Sequence, residues 1–236
     1  MRSARGATVA PHGAMARPAA GRATRAELRE RLRLYLVTDE ASLRGRTLAD
    51  VVLSAVDGGV TCVQIREKHL DARDFYAKAR ALMDLLAPRG VPLIVNDRVD
   101  IALACGAHGV HLGQSDLPVH RARELLPAHV FIGWSVESDD DVERAHALPV
   151  DYLGVSPVFS TPTKTDTAPP WGLAGLRRVR ARTALPLVAI GGVNADNAAD
   201  LLDAGADSLA VVSAICAAPR PDEAARALRR ICDTTR

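Results

Sequence analysis

The residues best equipped for chemistry stand in Cys62-Val63-Gln64-Ile65-Arg66-Glu67-Lys68, an apolar, β-favouring run that ends in a carboxamide and two cations. Side chains of a strand repeat every two residues, so Gln64, Arg66 and Lys68 share one side and their polar heads converge. Converging cations suit a phosphate or pyrophosphate, although a solvated strand end with alternating charge would read the same way. Two more short apolar runs lead into Asn96-Asp97 and, through His111-Leu112-Gly113-Gln114-Ser115, into Asp116. Magnesium is usually held by one or two carboxylates with substrate phosphates and water, a role Asp97 and Asp116 could share. Alternatively, each Asp caps the helix that follows it.

Other polar residues sit at comparable places. Ser135 ends an apolar run, and Thr161-Pro162-Thr163-Lys164 lies in a long polar loop where hydroxyls and one cation can move onto a ligand. Gly191-Gly192 follows a buried run and lets the backbone approach a ligand with its N–H groups exposed. Val212-Ser213 ends the last apolar run, just before a short helix. Loops after the seventh and eighth strands of a barrel commonly form a phosphate site. His111 reads as a packed or turn-bonded histidine, and the histidine spacings do not suit zinc. No Ser/His/Asp arrangement and no Lys in an apolar strand suggest covalent catalysis. Two anion sites and one metal site, without an acid–base pair, suit a phosphoryl or pyrophosphoryl leaving group.

Elements must place these residues at one edge. Short apolar runs over 34–38, 62–68, 92–96, 109–112, 130–135, 151–155, 186–190 and 208–212 read as strands. Helical patterns over 47–57, 71–87, 99–104, 118–126, 139–147, 173–180, 197–204 and 222–232 separate and follow them. Strand–helix alternation without hairpin signals predicts a single-domain α/β protein, a (β/α)8 TIM barrel over residues 33–236. A doubly wound open sheet is the competing architecture, but no G-x-G-x-x-G follows the first strand. In a barrel, the polar strand ends would all meet at the carboxyl-terminal rim.

Composition narrows the partners. Aromatic residues make up 3%, so the core must be built from aliphatic side chains and stacking platforms for single-stranded nucleic acid are not expected. The net charge is +2, yet residues 1–25 hold five Arg and no acid, leaving 25 basic against 28 acidic residues beyond them. That balance argues against nucleic-acid binding, and no apolar run approaches a membrane span. Cys62, Cys105, Cys216 and Cys232 are widely spaced and read as free thiols of a cytoplasmic protein. Residues 1–32 read as a disordered extension. An organellar transit peptide or an upstream start with Met15 as the true one would have the same composition. Small phosphorylated molecules are the expected partners, and homo-oligomerisation is left open.

Gln-x-Arg-x-Lys at 64–68, Val-Asn-Asp at 95–97, His-Leu-Gly-Gln-x-Asp at 111–116, Thr-Pro-Thr-Lys at 161–164, Ala-Ile-Gly-Gly at 189–192 and Val-Val-Ser-Ala-Ile at 211–215 form a joint set. In this order and spacing, they closely resemble the thiamine-phosphate synthase family over residues 34–231. The resemblance implies a transferase joining hydroxymethylpyrimidine pyrophosphate to a thiazole phosphate, with Mg²⁺ as cofactor. It implies that Gln64, Ile65, Arg66, Glu67, Lys68, Asn96, Ser135 and Lys164 bind the pyrimidine pyrophosphate and that Asp97 and Asp116 hold the metal. Thr161, Pro162, Thr163, Gly192, Val212 and Ser213 would hold the thiazole phosphate. Arg66, Lys68, Ser135 and Lys164 would act on the reacting groups. Two departures stand out: Glu137 occupies a position where the family often has His, and Ser156-Pro157 replaces the usual Gly-Pro. A related thiazole tautomerase uses that His and lacks the carboxylates, so this chain's pattern favours the synthase. A non-catalytic, product-binding barrel is the third reading.

Overall fold

Strands that are apolar on both faces need cover on both sides, and a parallel sheet under helices provides it. The computed structural model describes residues 22–161 and 168–235. Its strands are β1 (Leu34–Val37), β2 (Cys62–Ile65), β3 (Leu93–Asn96), β4 (Gly109–Leu112), β5 (Phe131–Val136), β6 (Tyr152–Val155), β7 (Leu187–Ile190) and β8 (Ser208–Val211). They pair in parallel in chain order, and β8 returns to β1 with Leu34 opposite Leu209, closing the barrel. That last pairing excludes the open sheet, which strand counting could not do.

The helices are α1 (Arg25–Leu32), α2 (Leu48–Asp57), α3 (Ala72–Leu86), α4 (Val99–Cys105), α5 (Val119–Leu125), α6 (Asp139–Ala145), α7 (Gly172–Arg182), α8 (Ala198–Asp203), α9 (Ser213–Cys216) and α10 (Pro221–Thr234). Four of these ten, α1, α2, α3 and α6, begin where a side chain satisfies one of the first free amides. Thr47 accepts from the Asp50 amide ahead of α2, and Asp71 accepts from that of Asp74 ahead of α3.

Helix α1 corrects the expectation of disorder up to residue 32. Thr24 Oγ1 accepts the Glu27 amide at 3.2 Å, and the Glu27 carboxylate accepts the Thr24 amide at 2.8 Å. Leu28 and Leu32, one turn apart, are buried against the barrel interior with Tyr35, Cys62 and Phe131. The helix leads directly into β1 and therefore closes the amino-terminal end of the barrel. Its other residues are mostly charged, so two leucines were too little periodicity to show a helix in the sequence.

Strand alternation divides the core. Leu36, Val63, Ile65, Val95, Val110 and their counterparts face the helices. Tyr35, Val37, Cys62, Ile94, Phe131, Tyr152, Val188 and Ala210 face inward. Large inward rings sit where a strand one or two places away carries glycine. A Cβ at Gly109 would lie 2.4 Å from the Phe131 ring, one at Gly133 2.0 Å from the Tyr152 ring, and one at Gly154 2.9 Å from the His111 ring. The four cysteines are free and buried, and among the described residues no helix is long and apolar enough to cross a membrane.

Candidate active site

With α1 across the lower end, the barrel opens at the carboxyl-terminal ends of its strands into a cavity of about 690 Å³. Gln64, Arg66 and Lys68 all line it, as alternation from a buried strand requires. The same alternation turns Ile65 and Glu67 away. Ile65 lies in the helix-facing core, and the Glu67 carboxylate accepts from Lys78 Nζ at 2.8 Å on the outside of the barrel. Neither residue is among those that line the cavity.

Asn96, Asp97, Asp116, Ser135, Thr161, Gly192, Val212 and Ser213 also line the cavity. Pro162, Thr163 and Lys164 lie outside the described residues. Gly191 and Gly192 have φ of 100° and 68°, a region that side chains disfavour. A Cβ at Gly191 would stand 2.7 Å from Pro157, and one at Gly192 would stand 2.8 Å from Phe159 and Ser160. The pair thus brings the β7 loop close against the β6 loop. Ser156-Pro157, where the motif departs, is a cis peptide bond.

Neither acidic residue is a helix cap. The residue ahead of α4 is Arg98, the one ahead of α5 is Pro118, and neither helix has a side-chain cap. Asp97 instead takes a left-handed backbone, φ 62°, while its N–H extends the β3–β4 ladder to His111 O at 2.8 Å. Its carboxylate accepts from Lys68 Nζ at 2.5 Å. The Asp116 carboxylate accepts from the Gly113 amide at 2.6 Å. Burial pushes the Asp116 carboxyl above its ordinary value, and the neighbouring Asp97 carboxyl adds to the rise by hydrogen bonding and repulsion. Two neighbouring carboxylates beside a cavity, one of them costly to ionise where it is buried, are a fitting donor pair for a hard divalent cation. Among the described residues no third acidic, His or Cys ligand joins them, which leaves coordination positions for ligand oxygens and water.

Several lining residues were not legible in the sequence as site residues. Arg44, on the loop after β1, lines the cavity from a left-handed backbone position, φ 52°. Thr38 lines it too, and its hydroxyl accepts the Arg66 amide at 3.1 Å. Glu137 stands at the rim beyond Ser135. The greater surprise is the cavity floor. His111, taken as merely packed, places Nε2 2.9 Å from Ser135 Oγ and Nδ1 3.0 Å from the Tyr152 hydroxyl. Tyr152 lies 3.1 Å from the Tyr35 hydroxyl, to which Gln64 Nε2 donates at 2.7 Å. A Ser/His pair therefore exists where the sequence suggested none. The third member is a phenol rather than a carboxylate.

Comparison with known proteins agrees with the geometry. A family model described as thiamine monophosphate synthase matches residues 34–215. The thiamine-phosphate synthase of Albidiferax ferrireducens is 68% identical over 202 residues, covering 86% of this chain and 92% of that protein. The thiamine-phosphate synthase of Vibrio parahaemolyticus is 51% identical over 201 residues, covering 85% and 98%. Among solved structures, thiamine phosphate pyrophosphorylase from Pyrococcus furiosus superposes with a TM-score of 0.81 at 37% identity, covering 88% of this chain and 98% of that one.

Proposed function

Because the chain belongs to the thiamine monophosphate synthase family, and so is a transferase of thiamine biosynthesis, we propose the following reaction for its cavity. It condenses 4-amino-2-methyl-5-hydroxymethylpyrimidine pyrophosphate with hydroxyethylthiazole phosphate, or its carboxylated form, to give thiamine phosphate and pyrophosphate. The observation that carries this reading is the placement of Arg66 and Lys68 beside the Asp97–Asp116 pair on one cavity wall.

The pyrimidine-methyl carbon loses pyrophosphate, its ring amino group stabilises the resulting cation, and the thiazole nitrogen attacks with its own lone pair. No protein nucleophile is needed, so the protein acts by positioning and by neutralising the leaving group. Mg²⁺ held by Asp97 and Asp116 would withdraw charge from the departing pyrophosphate. Arg66 and Lys68, with Lys164 from the loop, bind its oxygens. Gln64 and Asn96 orient the pyrimidine, and Ser135 donates to the anion. Thr161, Thr163, Gly192, Val212 and Ser213 receive the thiazole phosphate. The carboxylate pair, together with Glu137 in place of histidine, supports this reaction over thiazole isomerisation.

The test is pyrophosphate release measured with each substrate alone, with both, and with both in the absence of Mg²⁺. Release that requires both substrates and the metal, with thiamine phosphate appearing in equal amount, is the expected result. Aromatisation of a thiazole phosphate without Mg²⁺ would overturn the assignment.

A further inference from the structure

The floor of the cavity poses a chemical question that proximity alone leaves open. A serine hydroxyl 2.9 Å from an imidazole nitrogen could be a nucleophile beside its base. It could equally be a hydroxyl that accepts from the imidazole and keeps its own hydrogen for a ligand. The two arrangements differ in which imidazole nitrogen carries the proton, and that is set by the group hydrogen-bonded to the other nitrogen.

We infer that the five side chains on the floor form a one-way chain of hydrogen bonds, Gln64 to Tyr35 to Tyr152 to His111 to Ser135, that makes Ser135 a donor to the substrate and not a nucleophile. The direction is set at the Gln64 end. Its Nε2 donates to the Tyr35 hydroxyl at 2.7 Å, so that hydroxyl has a lone pair engaged and turns its hydrogen to Tyr152 at 3.1 Å. Tyr152 accepts it and donates to His111 Nδ1 at 3.0 Å. His111 is then protonated on Nε2, which donates to Ser135 Oγ at 2.9 Å. The Ser135 hydrogen is left for the cavity, and among the described residues the Gln64 carbonyl oxygen has no protein partner. Both phenols are fully buried, and burial holds each well above its ordinary value, so each remains a neutral O–H able to relay the direction.

This inference rests on the proposed reaction, and the polarity fits it. A pyrophosphate carries acceptors only, so it requires the hydrogen that Ser135 offers, while an exocyclic amine requires an acceptor such as the Gln64 oxygen. A chain running the other way would present a lone pair to the anion and an amide N–H to the amine, opposing both. Tyr152, which touches neither substrate in this scheme, is a positioning residue: its ring fills the space left by Gly133, and its hydroxyl links the two ends.

Nitrogen-15 NMR of the wild-type protein labelled at histidine reads the tautomer directly. Protonation of His111 on Nε2, with Nδ1 bare, is expected; protonation on Nδ1 overturns the inference. Tyr152→Phe keeps the ring and removes the link. It is expected to shift the His111 nitrogen signals and to raise KM for the pyrimidine pyrophosphate about tenfold, with KM for the thiazole phosphate unchanged. Tyr35→Phe should raise the same KM and shift the His111 nitrogen signals as well, because it removes the hydroxyl through which Gln64 sets the direction of the Tyr152 hydrogen. Unaltered KM in both variants, or covalent capture of Ser135 by a serine-directed phosphonate, would also overturn the proposal. A wild-type protein with the expected tautomer that makes no thiamine phosphate would instead defeat the proposed reaction while leaving the chain direction standing.

Discussion

Arg66 directs its guanidinium to the cavity without an ion-pair partner among the described residues, whereas Lys68 is already engaged by Asp97. A guanidinium kept unpaired beside a cavity is available to an incoming anion. Arg66→Ala is therefore expected to lower turnover about 10²- to 10³-fold while far-UV circular dichroism stays that of the wild type. Asp97 combines charge with backbone conformation, since its φ is 62°. Asn tolerates that region nearly as well as Asp, whereas Ala does not. Asp97→Asn should thus leave the melting temperature of the free protein close to wild type, and Asp97→Ala should cost about 1 kcal/mol more. The wild type is expected to gain thermal stability from Mg²⁺ with pyrophosphate, and both variants are expected to lose that gain, measured by differential scanning fluorimetry.

At the scale of the element, α6 shows how a helix start supports the rim. Asp141 Oδ2 accepts the amides of Glu137 at 2.9 Å and Ser138 at 3.0 Å, and the carboxylate pairs with Arg144. Burial works to raise the Asp141 carboxyl, but Arg144, the Glu137 amide and the Ser138 side chain outweigh it and hold it below the ordinary value of 3.8. A depressed folded value stabilises the protein at neutral pH, and that contribution is lost as pH falls below about 3.8 toward the folded value. Asp141→Asn should cost about 1–3 kcal/mol at pH 7. As pH falls through the folded value its unfolding curve should approach that of the wild type. Period-two alternation made Gln64, Arg66 and Lys68 legible as one face, and applied strictly it also separates Ile65 and Glu67 from them. Asp97 and Asp116 were legible because both closely follow strands that are adjacent in chain order. The floor was not legible: Tyr35 and Tyr152 come from strands far apart in sequence and meet only across a closed interior. Arg44 was missed because it belongs to a loop, where no strand end indicated its direction.

For the molecule as a whole, closure from β8 to β1 and the plug of α1 leave the carboxyl-terminal rim as the mouth of the cavity. Leu32 is fully buried in that plug. Leu32→Ala should cost about 2–5 kcal/mol by leaving a void, seen as a lower midpoint in urea. Because the plug lies at the opposite end from the reacting groups, kcat at 25 °C should be unchanged.

The matching of rings to glycines within the barrel has a consequence for how such a sequence can vary. Tyr152 occupies space that Gly133 leaves, and His111 occupies space that Gly154 leaves. A methyl group at either glycine is therefore excluded while its ring is present and becomes permissible once the ring has been replaced by something smaller. Changes at these positions are epistatic and ordered: the ring must shrink before the glycine can grow. Any lineage that retains the hydroxyl of Tyr152 and the imidazole of His111 is thereby bound to keep both glycines.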